Sequence, residues 1–207
     1  MPDKKSAEII MLPEGRLINH SLFERDQYNE KSKPCYNIEI AFEPGALEEF
    51  EEKLFDAAVD KWGEGADEDE DLILPIIDGD VLARKREKKG KPGEAYNGMD
   101  VIRAKTIFNK HGEEGPGGIH VYAPDGESEI GIANREEVYQ GCYVIAAVTI
   151  NTYVDEKTGD NALSIYLTAV QKTKDGERLI SASDHSKLFK SVGRKSKAEG
   201  GRRKRKS

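Results

Sequence analysis

The sequence predicts a mainly β fold with a single amphipathic helix, and three observations carry that expectation. Four segments alternate apolar and polar residues with the period of two that a half-buried strand requires. One segment repeats its apolar residues with a helical period, and clusters of Gly, Pro and Asp separate the elements. At 207 residues the chain is long enough for one domain with a real core. Charged residues make up 34%, above the usual share of about 25%, so a solvated, charge-rich surface is expected.

The first predicted strand, 35–43, sets Tyr36, Ile38, Ile40 and Phe42 against Cys35, Asn37, Glu39, Ala41 and Glu43. A helix follows over 45–62, where Leu47, Phe50, Leu54, Phe55, Ala58, Val59 and Trp62 share one face and acids take much of the other. Pro44 precedes it, and Gly63 and Gly65 supply the stop. Residues 64–71 hold six acids and 84–91 six bases, and both are expected to be loops. Between them LILPIIDGDV is apolar, with Pro75 favouring an edge or bulge and Asp78-Gly79 a turn. Asp78 and Asp80 have the chemistry to hold a metal, though a turn is the commoner use of such a pair.

Three more strands are predicted. Over 100–108, Ile102, Ala104, Thr106 and Phe108 oppose Val101, Arg103 and Lys105; over 142–154, Cys142, Val144, Ala146, Val148 and Ile150 form the apolar face. Over 163–172, Leu163, Ile165, Leu167 and Ala169 oppose Ser164, Tyr166, Thr168, Val170 and Lys172. Residues 109–118 and 124–128 are loops. A hairpin through VDEKTGDNA would put Tyr143, Tyr153, Tyr166, Thr168 and Lys172 on one shared exposed surface.

Several function classes are disfavoured. No apolar run approaches a membrane span, and the first ten residues lack a signal peptide's apolar segment, so a soluble, cytoplasmic protein is expected. Cys35 and Cys142 stand far apart with no C-x-x-C, which suggests a reducing compartment and no zinc site. No phosphate loop, nucleophile elbow, zinc-protease or dinucleotide motif is present, and His20, His111, His120 and His185 are scattered. A binding protein without cofactor or metal is expected over an enzyme; catalysis would need carboxylates that only folding assembles.

Charge is distributed unevenly. The net charge is −7, yet the last 21 residues, from Lys187, carry ten Lys and Arg against Glu199 alone. A basic, mobile tail, 187–207, on an acidic body, 1–186, suits nucleic acid or an acidic partner. On the body, strands that mix Tyr with Lys and Arg provide platforms for base faces and cations for phosphates, the inventory of sequence-tolerant single-strand binding.

Most of the chain carries a resemblance: GRLINHSLFE at 15–24, KPCYNIEIAF at 33–42, LPIIDGD at 74–80, YNGMDVIRAKT at 96–106, EEVYQGCYVIAAVTINTY at 136–153 and LSIYLTAVQKTKDGERL at 163–179. These segments resemble a family of single-stranded DNA-binding proteins from tailed bacteriophages. The resemblance implies an OB fold, a five-stranded Greek-key barrel, with the helix as an insertion beside it and the face holding Tyr143 and Tyr166 lining the groove. It implies a role in coating single-stranded DNA during phage replication or recombination, in the host cytoplasm, with replication and recombination proteins as further partners. Such proteins often end in an acidic tail, whereas this chain ends GGRRKRKS. The expected contact residues are Arg103, Lys105, Tyr143, Tyr153, Tyr166, Lys172, Lys174 and Arg178, with Arg84, Lys85, Arg86 and the tail as electrostatic supplement. A competing expectation is a protein-interaction module of the same fold whose tail alone touches nucleic acid.

Overall fold

The computed structural model describes residues 8–27 and 29–179; the tail and the boundary expected at 186 lie outside them. Among the described residues eight strands form one mixed sheet: β1 (Ile10–Met11), β2 (Gly15–Asp26), β3 (Cys35–Phe42), β4 (Ile76–Asp78), β5 (Asp100–Thr106), β6 (His120–Tyr122), β7 (Tyr143–Val154) and β8 (Asn161–Lys174). The same described residues hold two inserted α-helices, α1 (Glu48–Trp62) and α2 (Gly79–Glu87), with short 3-10 turns at Glu94–Tyr96 and Ile132–Glu137.

Five of the strands pair in a ring. β2 pairs with β3, β3 with β5, β5 with β8, β8 with β7, and β7 returns to β2. The β5–β8 step is parallel and the other four are antiparallel. β4 wedges into the β5–β8 step: Ile76 to Asp78 pair with β5, while Ile73 bridges Ala162 on β8. Pro75 falls between those two pairings, where its missing N–H costs the ladder nothing.

The predicted alternations explain the interior. Tyr36, Ile38, Ile40 and Phe42 are buried with Ile102, Ala104, Val144, Ala146 and Val148, and Phe50, Leu54 and Ala58 bring α1 into the same core. Burying one such side chain fully contributes about 1.5–3 kcal/mol, so α1 is held by packing more than by its own propensity. At Gly15 even a methyl group would meet Ile40 at 2.4 Å, so only glycine lets β2 cross the core there.

The sequence-based expectations need four corrections. β2 escaped the alternation reading because a bulge between Leu17 and Asn19 breaks its period, burying Leu17 and Ile18 side by side. Residues 84–87 are the last turn of α2 and not a loop: Asp78 Oδ1 accepts the N–H groups of Asp80 and Val81, capping the helix, while Leu82 and Ala83 are buried. Phe108 is not a core residue, because β5 ends at Thr106 and Phe108 is left half exposed. Finally, β8 is bulged opposite Ala147 and Val148, so Ala169 and Val170 exchange faces relative to strict alternation, and Lys172 follows Val170 inward.

Candidate nucleic-acid interface

The outward residues of the ring line up as a rung across five strands. Ser21 pairs with Asn37, Asn37 with Lys105, Lys105 with Tyr166, and Tyr166 with Thr149. This rung leads into a groove of about 920 Å³ that includes Lys33, Cys35, Lys105, Phe108, His120, Thr149, Tyr166 and Thr168. Ile119 and Leu167 give it an apolar floor. Phe108 and Tyr166 expose 50% and 46% of their surfaces, enough to offer ring faces to a ligand.

One wall is the loop after β5, and the core fixes its shape. The buried Tyr36 hydroxyl donates to Gly115 O at 2.9 Å and accepts the Gly118 N–H at 3.0 Å. Asn109 Oδ1 accepts the N–H groups of His111 and Glu113, and its amide donates to Pro116 O. Phe108 and Lys110 therefore flank a loop held by satisfied buried groups.

Cations line the groove unevenly. Lys105 makes no ion pair among the described residues, whereas Lys33 lies 3.7 Å from Glu114 and Lys110 2.8 Å from Glu129. The Lys110 contact holds the Glu129 carboxyl below its ordinary value, and His120 Nδ1 stands 3.6 Å from the same oxygen. An exposed pair of this kind contributes little to stability, so Lys110 can exchange its partner for a phosphate at small cost.

The other expected contact residues disperse. Arg103 lies one rung away from Lys105, with Nε donating to Glu39. Tyr153 is exposed at the far end of β7, opposite Ala162. Tyr143, at the other end of β7, sits under the Lys174 ammonium, which in turn bonds Glu14 and holds that carboxyl low. Lys172 is only 9% exposed, bonds Asp175 at 2.7 Å and lies over the Tyr139 ring, which Arg178 also covers at 3.8 Å. Of the expected shared surface of Tyr143, Tyr153, Tyr166, Thr168 and Lys172, only Tyr166 and Thr168 meet in the groove: Tyr143 and Tyr153 lie at opposite ends of β7, and the bulge sends Lys172 inward. Arg84 and Lys85 are exposed on α2, and Arg86 is half-buried over the Tyr96 ring. Alternation missed Phe108, Lys110, His120 and Lys33: the first two follow the end of β5, His120 opens β6 and Lys33 precedes β3; Lys110 and Lys33 are cations beside turn residues, the signal that could have flagged them. Among the described residues no His, Cys, Asp and Glu side chains cluster as metal ligands, and no helix is long and apolar enough to cross a membrane.

Residues 9–199 match the family described as Enterobacter phage Enc34, ssDNA-binding protein. The chain belongs to that family. Membership agrees with the resemblance seen in the segments from GRLINHSLFE to LSIYLTAVQKTKDGERL. The C-terminally truncated single-stranded DNA-binding protein of bacteriophage Enc34 superimposes with a TM-score of 0.60 at 21% identity, over 83% of this chain and 88% of that one. The same phage protein in complex with ssDNA gives 0.60 at 21% identity, over 83% and 89%. The single-stranded DNA-binding protein gp2.5 of bacteriophage T7 gives 0.54 at 12% identity, over 91% and 98%. At these identities the likeness is one of fold. No protein of curated function matches the sequence.

Proposed function

We propose that this family member binds single-stranded DNA without strong sequence preference, in the groove over β5 and β8, and so coats it during phage replication or recombination. The observation that carries the reading is the Lys105–Tyr166 pair, a cation with no ion-pair partner among the described residues beside an exposed ring on one rung. Stacking on an aromatic contributes about 1–3 kcal/mol per base and tolerates any base, while the lysine takes a phosphate. Phe108 adds a second platform, and Lys33, Lys110 and His120 add groups on the walls. Arg103 and the exposed cations of α2 extend the basic path beyond the groove.

The ring of β2, β3, β5, β8 and β7 is best read as an OB barrel. Five strands paired in a cycle with one parallel step, and α1 packed into the core between β3 and β5, support that reading. The tail 187–207 is proposed as an added, sequence-independent phosphate contact, and replication or recombination proteins as further partners.

The test is a titration of labelled oligo-dT against a duplex of equal length at two salt concentrations. Tighter binding of the single strand at both is expected, because duplex bases reach the rings only after melting. Equal or tighter binding of the duplex rejects the reading.

A further inference from the structure

Beside the groove, the middle of the β2–β3–β5 face carries a relay that single-strand binding by itself does not require. Glu39 on β3 pairs with Arg103 on β5, and its side chain is only 13% exposed. One carboxylate oxygen accepts from Arg103 Nε at 2.5 Å, and the other accepts from the Tyr96 hydroxyl at 2.7 Å. Tyr96 itself is buried in a small second core with Leu82 and Ala83 of α2, above Ala41 and Val101. Burial and the adjacent carboxylate raise the Tyr96 phenol far above its ordinary value, so it stays a proton donor at every working pH.

The chemistry of the contact matters. A guanidinium has five donors in a rigid fork, and Nε is the one engaged here. The terminal amino groups of Arg103 have no protein partner among the described residues, and the side chain is 46% exposed. The carboxylate lies behind the arginine with both oxygens occupied, and the arginine lies toward solvent.

We propose that Glu39 is a positioning residue for single-strand binding: with α2 acting through the Tyr96 hydroxyl, it fixes Arg103 so that its terminal amino groups meet a backbone phosphate of the strand leaving the groove. The inference rests on the single-strand reading above and adds a phosphate subsite to it. It runs against simple electrostatics, in which an acid near the strand repels phosphate and its removal tightens binding. Here removal of the acid frees the arginine to sample many rotamers, and ordering them again opposes each binding event.

The test compares full-length wild type with Glu39→Ala, Arg103→Ala, the double variant and Tyr96→Phe, each binding oligo-dT over a salt series, with circular dichroism to confirm folding. Glu39→Ala and Arg103→Ala should each weaken binding about tenfold at low salt, the range of a hydrogen bond to a charged group. Each should lower the slope of log affinity against log salt by about 0.7, the share of one phosphate on a single strand. The double variant should be no weaker than either single one. Tyr96→Phe changes no charge and keeps the ring under Arg86, so it reads geometry alone and stands if Glu39→Ala fails to fold. It should weaken binding about twofold in the wild type and not at all in the Arg103→Ala background. Tighter binding by Glu39→Ala, additive losses in the double variant, or unchanged binding by Tyr96→Phe would overturn the proposal. If Tyr166→Ala weakens binding while these variants do not, the groove stands and only the subsite falls; if wild type fails to bind oligo-dT, both fall.

Discussion

Lys105 and Tyr166 are register partners across the parallel step between β5 and β8, so a cation and an exposed ring from strands 61 residues apart in sequence share one rung. Backbone pairing sets their spacing, and neither side chain depends on a mobile loop for its place. A nucleotide offers a base face and a phosphate at comparable separation, which makes this pair the anchor of the proposed path.

Tyr166→Ala is expected to weaken oligo-dT binding by about 1–3 kcal/mol while the protein stays folded, since the ring is half exposed. Tyr36→Ala should do the reverse. Its ring is fully buried and its hydroxyl ties down Gly115 and Gly118, so about 3–5 kcal/mol of stability is at stake. Thermal melting and fluorescence titration of both variants separate the two effects; a folded Tyr166→Ala of unchanged affinity would refute the groove assignment.

Lys105 and Lys172 should differ in the same way. Lys105→Ala is expected to lower the salt slope by about 0.7 at unchanged melting temperature, because its amine reaches solvent beside the groove. Lys172→Ala should lower the melting temperature and leave the slope alone, because its amine is already engaged by Asp175 and Tyr139. A reduced slope for Lys172→Ala in folded protein would contradict its inward assignment.

Stability should fall in two stages on acidification. Burial holds His20 below its ordinary value of 6.5, so above that pH its imidazole is neutral in the folded and the unfolded chain alike and stability is level. Below 6.5 the unfolded chain takes up the proton first, and stability declines until the folded imidazole's own lower value is reached. Glu14 and Glu129 are held below the ordinary 4.5 by hydrogen bonds from Lys174 and Lys110, so their contribution persists above 4.5 and is lost as pH drops through their lowered values. Melting temperatures from pH 8 to 3 should show both stages, and His20→Gln should remove the first.

Truncation after Ser186 removes ten cations and should weaken binding at low salt, flatten the salt slope and leave single-strand preference intact. The isolated peptide 187–207 should bind oligo-dT at low salt; if it does not, the tail makes no direct phosphate contact.

Much of this was legible in the residues themselves. The alternation of Tyr36, Ile38, Ile40 and Phe42, and of Cys142 to Val148, determines which faces are buried, because side-chain direction in a strand depends only on parity. The helical spacing of Phe50, Leu54 and Ala58 determines which side of α1 packs inward. The family, too, is written in the segments spread from GRLINHSLFE to LSIYLTAVQKTKDGERL. Only the tertiary structure decided the rest. A bulge inserts one residue without a compositional mark and reverses the parity of everything after it, which is why Lys172 points inward and Ala169 outward. Capping by Asp78 and burial of Leu82 and Ala83 made a helix of a segment whose charge alone suggested a loop. The site itself depends on long-range register: the sequence supplied Lys105 and Tyr166, but ring closure brought them together and added Phe108, while Tyr143 and Tyr153, at the two ends of β7, stay outside the groove. Parity is a local property of the chain, while adjacency between strands follows from pairing energies summed over the whole sheet.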